Sequence, residues 1–376
     1  MRVLQVTPAF YPAHLYGGPI QSIYELSLHL GRNGCEVRVL TTNANGLNEV
    51  LNLETGKDLE LGVNLRVRYC KRLLRHSVSP SLLIQLPAYV DWADIVHLRA
   101  VYSFPTIFTL LACKVLGKPI VWTPHGAFQH WKGQKRLQVK VMWERICKLV
   151  APHKMIIHTA SEKEAQTAFD HFPKVDVAVI THGIQIPPTV VRECRADHLR
   201  LLYMGRLHPI KGIEQLLDAC KILKDRSRVN WRLTLAGQGT LQYTRVLEER
   251  INELGLCQQI QFAGAVINNA KQQIFRMADV LIVPSLTESF SLVVAEALAH
   301  EVPVIASTGT PWNRLDEMGC GLWVSNDPES LAAAIEKIRQ LPLREMGLKG
   351  REWMEKEFTW EYCTQRVLSC YRELLQ

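Results

Sequence analysis

Along this chain short apolar runs alternate with segments whose apolar residues return every three or four positions. M-R-V-L-Q-V-T at the start reads as a strand. A loop rich in Pro, Tyr and Gly follows. A helix then runs from about Ile20 to Arg32, with Ile23, Leu26, Leu28 and Leu30 on its buried side. Gly34 separates it from the strand E-V-R-V-L-T. After a polar stretch from Asn43 to Lys57 comes a strand at Asn64–Tyr69. Residues 91–98, D-W-A-D-I-V-H-L, read as a strand preceded by acids. Residues 106–116 are helical, and I-V-W-T, M-I-I-H-T and V-A-V-I are further strands. Ile186-Pro187-Pro188 marks a boundary. Beyond the polar stretch Val190–Leu199 the alternation restarts with L-R-L-L-Y-M-G-R-L and a helix from Ile213 to Lys224. R-L-T-L-A, I-Q-F-A-G, V-L-I-V and V-P-V-I-A are the later strands. This alternation predicts an α/β protein of two doubly wound domains. Ligands in such sheets bind where loops leave the carboxyl ends of strands.

The stretch P-S-L-T-E-S-F-S-L-V-V-A-E, from Pro284 to Glu296, carries the densest chemistry. It follows the strand V-L-I-V. After Glu288 the apolar residues Phe290, Leu292, Val293, Val294, Ala297 and Leu298 take helical spacing. A strand, a turn and a helix at the edge of a parallel sheet leave backbone N–H groups facing a cleft, where they attract anions. Glu296 is expected about two turns into the helix, within roughly a quarter-turn of Glu288 in azimuth. Carboxylates accept hydrogen bonds from sugar hydroxyls, so the pair suits a sugar attached to a phosphate. A surface loop and an ordinary amphipathic helix with two solvated acids fit the same residues.

The length of 376 residues suggests two domains. No apolar run reaches the roughly eighteen residues of a membrane-spanning helix. Met1 leads straight into a strand rather than a cleavable apolar core, so the expectation is a cytosolic protein or one peripheral to a membrane. Residues 1–185 hold 21 Lys+Arg against 13 Asp+Glu, and residues 186–376 hold 23 against 23. The whole formal excess therefore lies in the first half, which suggests an anionic partner: a membrane surface, nucleic acid or an acidic substrate. The ten cysteines are scattered singly, with no Cys-x-x-Cys, which suits reduced, mostly buried thiols. No metal motif occurs, and Asp-x-Asp is absent.

Further candidates sit at strand ends. Gly17 and Gly18, in Y-G-G-P, let a backbone approach a phosphate ahead of the first helix, or simply make a tight turn. His125, in T-P-H-G, is better placed for a site than for a core. Arg206 and Lys211 flank the loop H-P-I-K. At a helix tip they would neutralise a diphosphate and stabilise a departing phosphate; the alternative is two solvated cations. Gly237-Gln238-Gly239 begins like a dinucleotide fingerprint, but Gln242 replaces its third glycine, so a nicotinamide is not expected. Residues 128–150 are basic, with Lys132, Lys135, Arg136 and Lys140 clustered near the start. That cluster is the candidate membrane-facing or acceptor-facing element. The helix body, with Trp131, Leu137, Met142, Trp143, Ile146 and Leu149, is expected to pack its apolar stripe inward.

G-R-L-H-P-I-K-G followed by P-S-L-T-E-S-F-S-L-V-V-A-E-A resembles the retaining glycosyltransferases of family 4, which have the GT-B fold. Within that pattern Glu288 and Glu296 form the E-x7-E motif, and G-G, T-P-H-G, A-G-Q-G and T-P-W-N-R-L fall in the family's order. The resemblance spans nearly the whole chain and is weaker between residues 43 and 90. It implies two Rossmann-like domains facing across a cleft. Residues 1–186 would bind the acceptor, with a helix at 359–376 packing back on them, and residues 187–358 would bind the donor. Arg206 and Lys211 would hold a donor diphosphate, and Glu288 would contact sugar hydroxyls. The N–H groups of Phe290, Ser291 and Leu292 would approach the phosphates, and Glu296 would bind the ribose. Gly17 and Gly18 would line the phosphate side, and His125 would sit beside the transferred sugar. The implied co-substrate is a UDP- or GDP-linked sugar, with no cofactor, no metal and no nucleic acid. The implied reaction moves a hexose to a growing, lipid-linked cell-surface glycan at the inner face of the plasma membrane. A nucleotide-sugar epimerase or hydrolase of the same fold, or a non-catalytic nucleotide-sugar-binding subunit, are the rival readings. His182-Gly183 and His300-Glu301 depart from the family's Asn-Gly and small-residue-Gly pairs.

Overall fold

The computed structural model describes residues 1–46, 48–75, 77–129, 137–189, 197–227, 229–266 and 268–376, with backbone alone at 137 and 268. The chain divides into two units, Met1–Gly183 with Trp360–Gln376, and Ile184–Thr359.

The first unit opens with β1 (Arg2–Val6), α1 (Gly18–Arg32) and β2 (Glu36–Thr42). The short pair β3 (Ala44–Asn45) and β4 (Glu49–Val50) forms its own antiparallel ribbon. Next come β5 (Asp58–Gly62), β6 (Leu65–Cys70), α2 (Pro80–Trp92), β7 (Ile95–Arg99) and α3 (Phe104–Val115). The unit continues through β8 (Ile120–Thr123), α4 (Leu137–Val150), β9 (Met155–Thr159), α5 (Glu162–His171) and β10 (Asp176–Val179). The sheet order is β10-β9-β8-β7-β1-β2-β6-β5, with β5 alone antiparallel. Strands covered on both faces open on apolar runs, as the fully buried β7 and β8 do before His97, Arg99 and Thr123 at their carboxyl ends, whereas the edge strand β5 alternates. The chain begins in mid-sheet, builds to one side and returns to the other. Loops therefore diverge at the carboxyl ends of β1 and β7, where ligands bind in such sheets.

The second unit contains β11 (Leu199–Met204), α6 (Ile213–Arg226), β12 (Trp231–Ala236), α7 (Leu241–Glu253), β13 (Ile260–Gly264) and α8 (Asn268–Met277). It continues with β14 (Val280–Val283), α9 (Leu292–Ala299), β15 (Val304–Ser307), β16 (Gly321–Val324), α10 (Pro328–Arg339) and α11 (Leu343–Glu357). Its all-parallel order, β13-β12-β11-β14-β15-β16, reverses between β11 and β14. The last helix, α12 (Trp360–Leu375), belongs to the first unit. There Val367, Leu368 and Tyr371 join Ile23, Leu26 and Val37 in one core, and Trp360 stacks on His29 at 5.8 Å.

Three expectations need correction. The helix α2 is absent from the sequence reading, and Asp91 and Trp92 end it rather than open a strand. Its signal is Ser79-Pro80: Ser79 caps the Leu82 N–H, and proline suits the first helical turn. Pro87, which breaks most helices, hides the pattern. Second, the polar stretch Asn43–Lys57 holds the β3–β4 ribbon, and an unexpected strand, β5, follows it as the hairpin partner of β6. Third, α4 is not apolar on one side only. Trp143 donates to the Val101 carbonyl at 2.8 Å and Cys147 is buried, yet Val139, Met142, Ile146 and Leu149 form an exposed stripe at three- and four-residue spacing. Trp131, Lys132, Lys135 and Arg136 lie outside the described residues, as does the Leu137 side chain.

Burying a large apolar side chain stabilises by about 1.5–3 kcal/mol, and α12 contributes several to one core. Truncation after Thr359 is expected to make the first unit protease-sensitive while a fragment of the second survives. Limited proteolysis with mass mapping checks this, and a truncated chain with an equally resistant first unit contradicts it.

Candidate functional site

Two loops meet at the β11/β14 reversal. The first leaves β11 through Gly205 and Arg206, makes a 3-10 turn at Pro209–Lys211 and enters α6 at Gly212. Gly212 has φ +65°, and a Cβ there would lie 1.9 Å from the Pro284 carbonyl oxygen. Only glycine permits that approach, because both the backbone conformation and the space exclude a side chain. The Leu286 N–H donates to the Ile210 carbonyl at 2.9 Å, completing the seam. Gly237 meets Gly205 in the same way, with a Cβ 1.8 Å from the Gly205 oxygen. The A-G-Q-G turn is thus a backbone-packing device beside the Arg206 loop.

The seam brings the predicted side chains together. Lys211 Nζ donates to Glu288 Oε1 at 2.5 Å, and Ser285 Oγ donates to the same oxygen at 2.8 Å. Both members of the ion pair are mostly buried, which strengthens their attraction relative to a solvated pair. Arg206 is exposed and makes no ion pair among the described residues. The Glu288 N–H donates to the Gly309 carbonyl at 3.1 Å, and Trp312 Nε1 donates to the Phe290 carbonyl at 2.5 Å. Phe290 is buried against Trp312 and Phe358. Ser291, the α9 N-cap, is held at φ +71°, a costly conformation for a residue with a Cβ. The N–H groups of Ser291 and Leu292 find no acceptor among the described residues, so they are open to a ligand.

The placement of Glu296 corrects the expectation. The helix begins at Leu292, so Glu296 lies about one turn in rather than two, and Glu288 lies on the loop, where azimuth on the helix does not apply. Glu296 pairs with Lys271 of α8 at 2.5 Å, both partly exposed. Ser285, Lys271 and Trp312 were missed, because each reaches the site only through the tertiary seam.

In the first unit, Gly17 and Gly18 lie exposed at the α1 tip, with Gly17 at φ +77°. The Gly17 N–H already donates to the His14 carbonyl at 3.0 Å, and Pro19 has no N–H, so the tip offers fewer free donors than the sequence suggests. His125 follows β8 at φ +50°, partly buried, and stacks on His182 at 5.8 Å. Its Nε2 has no hydrogen-bond partner among the described residues. Burial, then the Arg99 guanidinium, push its pKa well below the ordinary imidazole value. Arg99 ends β7 beside the β1/β7 reversal and was also missed. Its signal was a charge closing the apolar strand I-V-H-L-R. Among the described residues no cluster of His, Cys, Asp and Glu could hold a metal, and no helix is long and apolar enough to cross a membrane.

The family described as Glycosyltransferase Family 4 matches residues 16–186, and that described as Glycosyl transferases group 1 matches residues 198–340. The chain thus carries a family 4 and a group 1 glycosyltransferase domain, one in each half. A D-inositol 3-phosphate glycosyltransferase of Geodermatophilus obscurus is 30% identical over 58% of this chain, and the match spans about half of that relative (52%). A GDP-mannose:cellobiosyl-diphosphopolyprenol alpha-mannosyltransferase of Xanthomonas campestris is 24% identical over 92% of this chain and 88% of its own. Two solved structures share the GT-B fold of two Rossmann-like domains. A sucrose-phosphate synthase from Thermosynechococcus elongatus has a TM-score of 0.78 at 21% identity, covering 99% of this chain and 98% of that one. Anabaena HepE in complex with UDP-glucose has a TM-score of 0.74 at 16% identity, covering 99% and 100%.

The two departures from the family pattern differ in consequence. His182 touches a predicted site residue, His125. Glu301 lies past the far end of α9, where Arg351 approaches it at 3.8 Å, away from the helix tip. Gly212→Ala is expected to destabilise the second unit by about 2 kcal/mol or more, combining left-handed backbone strain with a backbone clash. Chemical denaturation of wild type and variant checks this, and an unchanged midpoint contradicts the seam.

Proposed function

We propose that this glycosyltransferase transfers a hexose, with retention, from a UDP- or GDP-linked sugar to a lipid-linked glycan. The observation that carries the donor half is the Lys211–Glu288–Ser285 cluster beside the open α9 tip at the β11/β14 reversal. Lys211, Arg206 and the N–H groups of Phe290, Ser291 and Leu292 hold the diphosphate. Glu288 accepts from sugar hydroxyls, and Glu296 from the ribose. The acceptor hydroxyl oxygen attacks the anomeric carbon on the face from which the diphosphate departs. The bond to the phosphate oxygen breaks with its electrons staying on that oxygen, which takes the acceptor's proton. The charge of the leaving group falls on protein cations and N–H groups, so transfer is expected to survive EDTA.

The acceptor half draws on the relatives, whose names carry a diphosphopolyprenol and an inositol phosphate. It draws equally on the α3–α4 surface. Phe108, Leu111 and Val115 of α3 are exposed, as is the α4 stripe. Between Ala100 and Ala160 the chain has nine Lys and Arg and one acid, Glu144. That acid is buried, bonded to Tyr102 and, at 2.7 Å, to His171. An apolar stripe with cations and no exposed acid suits the anionic inner face of a membrane.

Thermal stabilisation by a panel of nucleotide sugars identifies the donor. With it, Lys211→Ala and Glu288→Ala are expected to lower kcat/KM about 100- to 1000-fold. Transfer at wild-type rates would refute the donor assignment, and fast donor turnover without acceptor would favour the epimerase or hydrolase. The full chain should bind phosphatidylglycerol vesicles at low salt, and Met142→Glu with Leu149→Glu should abolish that binding. Wild-type indifference to the vesicles would remove the membrane contact.

A further inference from the structure

The carboxyl ends of β7, β8 and β9 hold a buried polar network whose proton positions follow from one carbonyl. His158 Nε2 lies 2.8 Å from the Ile180 carbonyl oxygen, which can only accept, so this nitrogen carries the proton. Nδ1 of the neutral ring therefore accepts, at 3.1 Å, from the Thr123 hydroxyl. The Thr123 oxygen in turn accepts from His97 Nε2–H at 2.7 Å. His97 Nδ1 is left to accept from the Tyr371 hydroxyl at 2.5 Å. Burial and then Arg99 hold His97 and His182 below the usual imidazole pKa, His182 at about 4, and the same causes set His158 at about 3. The network is neutral, and it is internally complete.

Arg99 lies inside it and is not matched by it. The side chain is 1% exposed. Among the described residues its one hydrogen bond runs 3.3 Å to His97 Nδ1, a lone pair that Tyr371 already uses. Among the described residues its Nε has no partner, and no carboxylate acts on its charge. The buried acid Glu164 spends its two oxygens on the Gly126 and Ala160 N–H groups, at 2.5 and 2.9 Å. On the same sheet face, Gln5 of β1, in register with His97, leaves both side-chain polar atoms unpartnered among the described residues, and in the loop past β8 His125, within electrostatic reach of Arg99, leaves its Nε2. A buried guanidinium without a counter-charge costs several kcal/mol of stability, and such groups otherwise occur paired.

We propose that Arg99, with Gln5 and His125 beside it, forms a phosphate-binding subsite of the first unit that takes a phosphoryl group of the acceptor. The guanidinium fork donates two hydrogen bonds to the phosphate oxygens, Gln5 Nε2 donates a third, and the anion supplies the missing charge. The assignment to the acceptor rests on the lipid-linked acceptor reading; the phosphate site itself does not.

The test is calorimetric titration of the full chain with inorganic phosphate, with and without saturating UDP or GDP, for wild type, Arg99→Gln, Arg99→Lys and Lys211→Ala. Phosphate should bind wild type in the presence of nucleotide. Arg99→Gln should weaken it at least tenfold, Arg99→Lys should restore part of the loss, and nucleotide affinity should stay within twofold. Lys211→Ala should lose nucleotide and keep phosphate. Wild-type phosphate affinity in Arg99→Gln, or no phosphate binding by wild type, overturns the subsite. A lowered Tm with unchanged phosphate affinity would make Arg99 structural and overturn it equally. Loss of nucleotide rather than phosphate in Arg99→Gln would move the subsite to the donor. Failure of wild type to bind either nucleotide would count against the donor reading alone, since the phosphate arm runs without nucleotide.

Discussion

The close approach of two backbone loops, Gly212 against the Pro284 carbonyl, is the constraint on which the chemistry of the second unit depends. It sets Lys211 opposite Glu288 and lets Ser285 share the same oxygen. A side chain at residue 212 would separate the loops, and the Lys211–Glu288 pair would pass from a mostly buried contact to a solvated one worth little. Ser291, at a positive φ, is the second strained point, and it stands where the α9 tip opens. Strain gathered at one strand–helix junction is what pre-organised anion binding requires.

The two units solve the charge problem differently. In the second, the cation at the strand end has a carboxylate partner, Glu288, so its charge is matched within the fold. In the first, Arg99 has only a neutral histidine, and the surrounding rings are kept neutral by burial and by Arg99 itself. The proposed donor in the second unit would exchange against a carboxylate, and the proposed anion in the first would be retained as the missing counter-charge.

Most of the parallel strands were legible in the sequence because both of their faces are covered, which leaves continuous apolar runs such as Val280–Val283 and Ile120–Thr123. The α2 helix was not, because Pro87 interrupts its pattern while its neighbours hold it in place. Arg206 and Lys211 stood out because they adjoin Gly205 and Gly212 after a strand, and the glutamates because they bracket the turn from a buried strand into a helix. Lys271, Trp312 and Arg99 did not, since each acquires its meaning from partners far along the chain. The outward stripe of α4 was misassigned for a related reason. Periodicity reports that a helix has apolar positions, but α4 has two sets, and only packing shows that Trp143 and Cys147 take the core while Met142 and Leu149 face outward.

The central claim is that the β11/β14 reversal holds a nucleotide diphosphate sugar. A crystal structure of the chain soaked with the stabilising nucleotide sugar tests it most directly. The account predicts diphosphate density at the α9 tip, within hydrogen-bonding distance of Lys211 and the Ser291 and Leu292 N–H groups, with the sugar against Glu288. Diphosphate density elsewhere in the chain, with the Lys211–Glu288 pair undisturbed, would contradict it.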